Sequence, residues 1–231
     1  MFIKACLILL IVMFSFVPSA QADKKFTFLQ TELGPKYHCA INALNRAYAN
    51  LGIEVEYLVQ PNRRAIDSSN RGKFDGEMLR VDGVEHLFPN LIKIPVPLCA
   101  IKSVMLAGNH VSATTIEELK TYHFGIILGF IDQERYVKQH NITATKLVKY
   151  DRLFDMLELG RVDVIFLPLT QAHQWLTDEK KKHFKFLKNF NRDLYLYHYL
   201  HKKHKHLLSD VTQQLRVLEQ NGQIELFNIK N

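Results

Sequence analysis

The chain is expected to fold as a two-lobed α/β protein whose parallel-rich sheets face each other across a gap. Two observations predict it. Strand-like and helix-like segments alternate along nearly the whole sequence, and one ten-residue pattern occurs twice at matching stages of that alternation. Strands spaced by helices favour parallel pairing, because the helix returns the chain to the same end of the sheet.

In order, residues 26–29 read as a first strand. A helix is expected over 37–51, with Cys39, Ile41, Leu44, Ala47, Tyr48 and Leu51 near one face and Gly52 stopping it. Residues 53–59 alternate as a strand, Pro61 opens a short helix that ends at Gly72, and 74–79 form a third strand. The segment 91–107, with Pro95 and Pro97, reads as a crossover between lobes. Thr114 or Thr115 with Glu117 and Glu118 marks a capped helix start. Strands follow at 124–128, 145–148 and 162–167, with helices at 132–139 and 151–159, and the chain after about residue 186 is the return.

The repeated pattern covers 70–79 and 158–167. Each copy is a helix end, a glycine (Gly72, Gly160), a cation (Lys73, Arg161), an apolar residue (Phe74, Val162), an aspartate (Asp75, Asp163) and a strand. The glycine suits a left-handed helix stop, and the cation lies near helix-terminal carbonyls.

Residues 1–22 have the order of a secretory leader: Lys4, an apolar run over 6–17, and small residues Ala20 and Ala22 before the polar Asp23-Lys24-Lys25. Cleavage is expected after Ala22, with Cys6 too early to be a lipid-anchoring cysteine. The apolar run is shorter than the roughly 20 residues that span a bilayer. An exported, soluble protein of the periplasm is expected. Its charge of +7 is scattered, and export argues against nucleic acid, so mild attraction of anions is the implied role. Cys39 and Cys99 remain after processing; sixty positions apart, they leave both a disulfide and two free thiols open. His198, His201, His204 and His206 are interleaved with Lys202, Lys203 and Lys205, which repel a cation, and no metal is expected there. No cofactor fingerprint occurs.

The leader, Pro61-Asn62-Arg63-Arg64-Ala65, the two glycine joints, residues 194–201 and the closing helix ending in Asn221-Gly222-Gln223-Ile224 together resemble the bacterial extracellular solute-binding proteins of family 3. The resemblance covers nearly all of the mature chain and rests on the order of these features. It implies the type II periplasmic-binding fold: lobe one from 23–95 plus 186–231, lobe two from 96–185, and a ligand held between them by hinge closure. It implies a small polar or anionic ligand, a membrane permease of the ABC type or a sensor as partner, and a monomer.

Ligands of open α/β sheets bind past the carboxyl ends of the strands. Glu77 and Arg80 lie at such an end, Arg80 able to grip a carboxylate, or Glu77 and Arg80 able to pair with each other. Gly129 and Phe130 join a strand to a helix, where backbone N–H groups suit an anion and the ring suits an apolar part. Thr31 and Tyr37 follow the first strand as rim residues. The resemblance adds Arg64, which in the family often faces ligand. Two departures count against an ordinary α-amino acid: residues 81–87 hold no arginine, and Pro168 stands where the family has an acid. The alternative is an enzyme on the same fold, dehydratase-like, with Glu77 as its acid or base.

Overall fold

The computed structural model describes residues 24–31, 38–224 and 226, with the side chains of His38 and Cys39 outside that set. The expected leader, its cleavage site and Tyr37 therefore lie outside the described residues. No helix among the described residues is long and apolar enough to cross a membrane.

The elements follow the expected alternation. β1 (Lys24–Gln30), α1 (His38–Ala49), β2 (Ile53–Val59), α2 (Asn62–Asn70) and β3 (Gly76–Val81) lead into the long strand β4 (Leu91–Gly108). Then come α3 (Ile116–Leu119), β5 (Phe124–Ile127), α4 (Ile131–Gln139), β6 (Ala144–Leu147), α5 (Tyr150–Glu158), β7 (Val164–Pro168), α6 (Leu169–Trp175) and β8 (Phe184–Phe186). The chain returns along β9 (Arg192–His201) and closes with α7 (Leu208–Gln220). On α1, Ala40, Ala43, Leu44, Ala47 and Tyr48 recur every three or four residues and are all buried. α3 starts at Thr115, whose hydroxyl accepts from Glu118 N–H while the Glu118 carboxylate takes the Thr115 N–H, a reciprocal cap.

Strands lie in the order β2-β1-β3-β9-β4-β7-β5-β6, with β8 beside β4. β2, β1 and β3 are mutually parallel, and so are β7, β5 and β6; β4 and β9 run antiparallel to their neighbours. Two separate sheets were the expectation. Instead the ladder is continuous, because β4 and β9 pair with each other along most of their lengths and carry the hydrogen bonding from one parallel group to the other. Their pairing slips between Lys93 and Pro97 and again between Pro97 and Cys99. Pro95 and Pro97 have no N–H to give to the ladder, so the crossover bulges there. One apolar core runs through both groups, from Phe28, Leu44 and Met78 through Ile94 to Ile127, Leu153 and Leu167. A second, with Phe124, Ile126, Tyr136 and Phe166, covers the other side of β5 and β7. Cys99 is disulfide-bonded; the Cys39 side chain lies outside the described residues.

The repeated pattern is repeated in space as well. Gly72 and Gly160 take left-handed φ values of 77° and 62°. At each joint the glycine N–H bonds the carbonyl three residues back, and the following cation's N–H bonds the one five back. The aspartates act alike. Asp75 Oδ2 accepts the Thr27 N–H at 2.8 Å and Asp163 Oδ2 accepts the His123 N–H at 2.8 Å, tying one joint to the middle of β1 and the other to the start of β5. Each also turns Oδ1 to a histidine Nε2, His204 at 2.7 Å and His110 at 3.0 Å.

The histidines of the 198–206 segment part company. His204 stacks on Phe26 beside Asp75. His198 is fully buried between Tyr48 and the backbone: Nδ1–H donates to the Met78 carbonyl at 3.4 Å, and Nε2 accepts the Tyr48 hydroxyl at 2.8 Å. Burial holds the ring neutral and pushes its pKa from the ordinary 6.5 down to about 4. The unfolded chain therefore takes up a proton near pH 6.5 that the folded chain refuses until near pH 4, and stability falls with pH across that window. The His198 contribution to this loss is on the order of 3 kcal/mol. Urea midpoints at pH 7 and pH 4.5 should separate less in His198→Gln than in the native chain; an equal separation would show that His198 does not carry the effect.

Candidate functional site

β1, β2 and β3 end on one side of the crossover strands and β5 on the other, and the residues just past those ends meet. The cleft is lined by Asn62 at the start of α2, Leu79, Arg80 and Val81 at the end of β3, Gly129, Phe130 and Ile131 before and within α4, and Ile101 and Leu196 of the crossovers. It encloses about 20 Å³, roughly the room one water needs. The two sides touch: a Cβ placed on Gly129 would lie 2.4 Å from Arg63 N and 2.6 Å from Arg63 Cα.

Glu77 and Arg80 are joined through a defect in the sheet. Residues three apart on a regular strand face opposite sides. Between Glu77, opposite Tyr199, and Arg80, opposite Tyr197, β3 carries one residue more than β9. That bulge returns both side chains to one side. Arg80 Nη2 and Nε reach Glu77 Oε2 at 2.7 Å and 2.8 Å, and Nη2 also donates to the Asn62 carbonyl at 3.2 Å. Both side chains are buried. Burial pushes the Glu77 carboxyl up against the lowering effect of the Arg80 charge. Arg80 lines the cleft, whereas Glu77 stands behind it.

The turn before α4 differs from the expected anion site. The Gly129 N–H donates to the Glu134 carboxylate at 3.1 Å, and the Phe130 N–H to the Ile127 carbonyl at 3.0 Å. Asp132 and Glu134 both sit in the first turn. The positive helix end is thus already matched by this chain's own carboxylates, and what Gly129 and Phe130 contribute to the cleft is shape and apolar surface. Asp132 is itself buried and bonded to Arg192 at 3.1 Å, whose guanidinium lies over the Tyr136 ring. Burial raises the Asp132 carboxyl, and Arg192 draws it back.

Of the other expected residues, Arg64 is exposed and outside the cleft lining. Thr31 is buried at the end of β1, its hydroxyl without a partner among the described residues. Asn62, Leu79, Val81, Ile101, Ile131 and Leu196 were not singled out from the sequence. The five apolar residues among them carry a signal that is the same for a cleft wall and for a core, and Asn62 is one polar residue at a helix start.

No protein-family profile and no curated protein matches this chain. Solved structures do. The substrate-binding protein of an amino acid ABC transporter is similar at 18% identity with a TM-score of 0.66, over 87% of this chain and 95% of the other. A histidine kinase sensor domain with similarity to periplasmic binding proteins gives 11% identity and a TM-score of 0.71, over 87% and 92%. An ancestral amino acid-binding protein, a precursor of cyclohexadienyl dehydratase, gives 16% and 0.66, over 87% and 91%. Two parallel strand groups, joined by two antiparallel crossovers with a cleft at their carboxyl ends, give this chain the α/β fold of the periplasmic substrate-binding proteins.

Proposed function

We propose that this chain is an exported solute-binding protein that captures a small anionic or polar metabolite by closing two lobes around it. Lobe one comprises 23–95 with 186–231 and lobe two 96–185, and the protein acts as a monomer serving an ABC permease or a receptor. The observation that supports this best is the cleft itself. It joins residues from both strand groups at the carboxyl ends of their strands, and Arg80 is the one charged group lining it among the described residues. Nothing in that lining offers a carboxylate for an ammonium, so the favoured ligand has an anionic group and an apolar body, and an ordinary α-amino acid is disfavoured. A volume of about 20 Å³ admits such a ligand only when the lobes part, which makes capture a hinge motion.

The competing reading is an enzyme with Glu77 as acid or base, which the solved likeness to a dehydratase precursor brings to mind. Its raised pKa suits that role, but Arg80 lies between its carboxyl and the cleft. A melting screen of the mature protein against small carboxylates, sulfonates and phosphates decides between them. At least one compound should raise the melting temperature, shrink the scattering radius and be recovered unchanged. Recovery of a reaction product instead would favour the enzyme, and a screen without any stabilising compound would remove the binding reading.

A further inference from the structure

Alongside the cleft, an open groove of about 830 Å³ runs between the two strand groups. One wall is Arg63 of α2 with Leu87 and Phe88, which follow a short 3-10 turn at Val84–His86. The other is α4, the chain leading into β6 and β6 itself, with Arg135, Lys138, Ile142 and Lys146. Its volume falls inside the roughly 300–1,000 Å³ typical of small-molecule sites.

The groove has an apolar floor and a cationic rim. Phe88, Ile131, Val137 and Ile142 are buried beneath it, and Leu87 is 55% exposed at its edge. Four cations border it against one carboxylate, Glu134. The Glu134 carboxylate is already engaged by the Gly129 N–H, with Lys146 only at 3.8 Å. Arg63 shares Asp67 at 3.0 Å and lies over the Phe88 ring. Arg135 crosses to the other wall, its Nη1 lying over Gly83, near the Asp82 and Asp132 carboxylates but in ion-pair contact with no described one. Lys138 is exposed and has no ion pair among the described residues. The apolar floor is nearly closed to solvent in this arrangement, and the excess of positive charge on the rim favours an anionic counterpart.

We propose that this groove is a second binding site, adjoining the cleft at Ile131, for a soluble amphipathic anion: a carboxylate head on an aliphatic chain. The chain lies along Phe88, Ile131, Val137 and Ile142, and the head meets Lys138 and Lys146 on the rim, with Arg135 completing the positive field. Because its walls come from both strand groups, an occupant touches both and favours the closed arrangement, so the groove and the cleft are positively coupled.

Calorimetric titration with decanoate tests this, beside decyltrimethylammonium and decyl maltoside as cationic and neutral chains of the same length. Decanoate should bind saturably, the other two should not, and raised salt should weaken it. The exposed pair Lys138→Glu with Lys146→Glu should weaken decanoate by about tenfold or more. If that pair lowers the melting temperature, Lys138→Gln with Lys146→Gln replaces it and should give a smaller loss in the same direction. Equal binding of the neutral chain, an affinity indifferent to both variants, or no saturable decanoate binding would each overturn the proposal.

Discussion

Gly129→Ala is expected to hold the two halves of the molecule apart and to weaken ligand capture roughly a hundredfold, the equivalent of about 3 kcal/mol taken from the closed state. Two effects meet at this residue. Its φ of +81° is one that side-chain-bearing residues rarely adopt, and the new methyl would sit 2.4 Å from Arg63 N, 2.6 Å from Arg63 Cα and 2.9 Å from Asn62 C. The obstacle is backbone, so no rotamer relieves it; the two strand groups must move apart there. Gly160→Ala distinguishes the effects. Gly160 has a φ of +62° with nothing within 4 Å of its Cβ position, so this control carries the strain, about 1 kcal/mol, without the collision. Scattering should report a larger radius for Gly129→Ala alone, and the stabilising ligand should lose its effect in that variant alone. Two variants with the same radius and the same ligand response would show that closure does not pass through this contact.

Arg80→Met should cost about 3–5 kcal/mol, because it strands a carboxylate taken wholly out of water. Glu77 is 0% exposed and Arg80 6%, so neither can turn to solvent for relief. The loss should depend on pH. Burial holds the Glu77 carboxyl above its ordinary pKa, and without Arg80 it should rise further. A carboxyl raised in the folded state binds its proton more tightly there than when unfolded, so the variant should gain stability as the pH falls and lose it as the pH rises through the raised value. Glu77→Gln with Arg80→Met removes both charges and should recover most of the loss. Urea midpoints for the native chain, the single and the double variant at pH 7.5 and pH 5 test this. A single variant as stable as the native chain, or a double variant no better than the single, would rule out the pair as a structural bond.

That pair also shows how far the sequence could be read. Glu77 and Arg80 were both visible as strand-end candidates, together with the choice between an internal bond and a ligand grip. Their spacing of three argues against contact on a regular strand, and only the extra residue that β3 carries against β9 brings them together. Asn62 lay two positions from the arginine that drew attention. The helix that Pro61 starts turns Asn62 to the cleft and leaves Arg64 exposed, a difference of rotation that composition does not encode. At Gly129 the turn was legible, but its N–H was already claimed by Glu134, an acid whose place on the helix was known and whose reach was not.

What this sequence determined by itself was local: the order of strands and helices, a helix cap at Thr114 or Thr115, and the two glycine joints. Each depends on neighbours within a turn or two of chain, where periodicity and backbone preference act directly. What tertiary structure decided was which strand slipped against which, which carboxylate reached which donor, and how closely two strand groups meet at Gly129. Those outcomes arise from contacts between residues tens of positions apart, where the register of one ladder moves every partner at once.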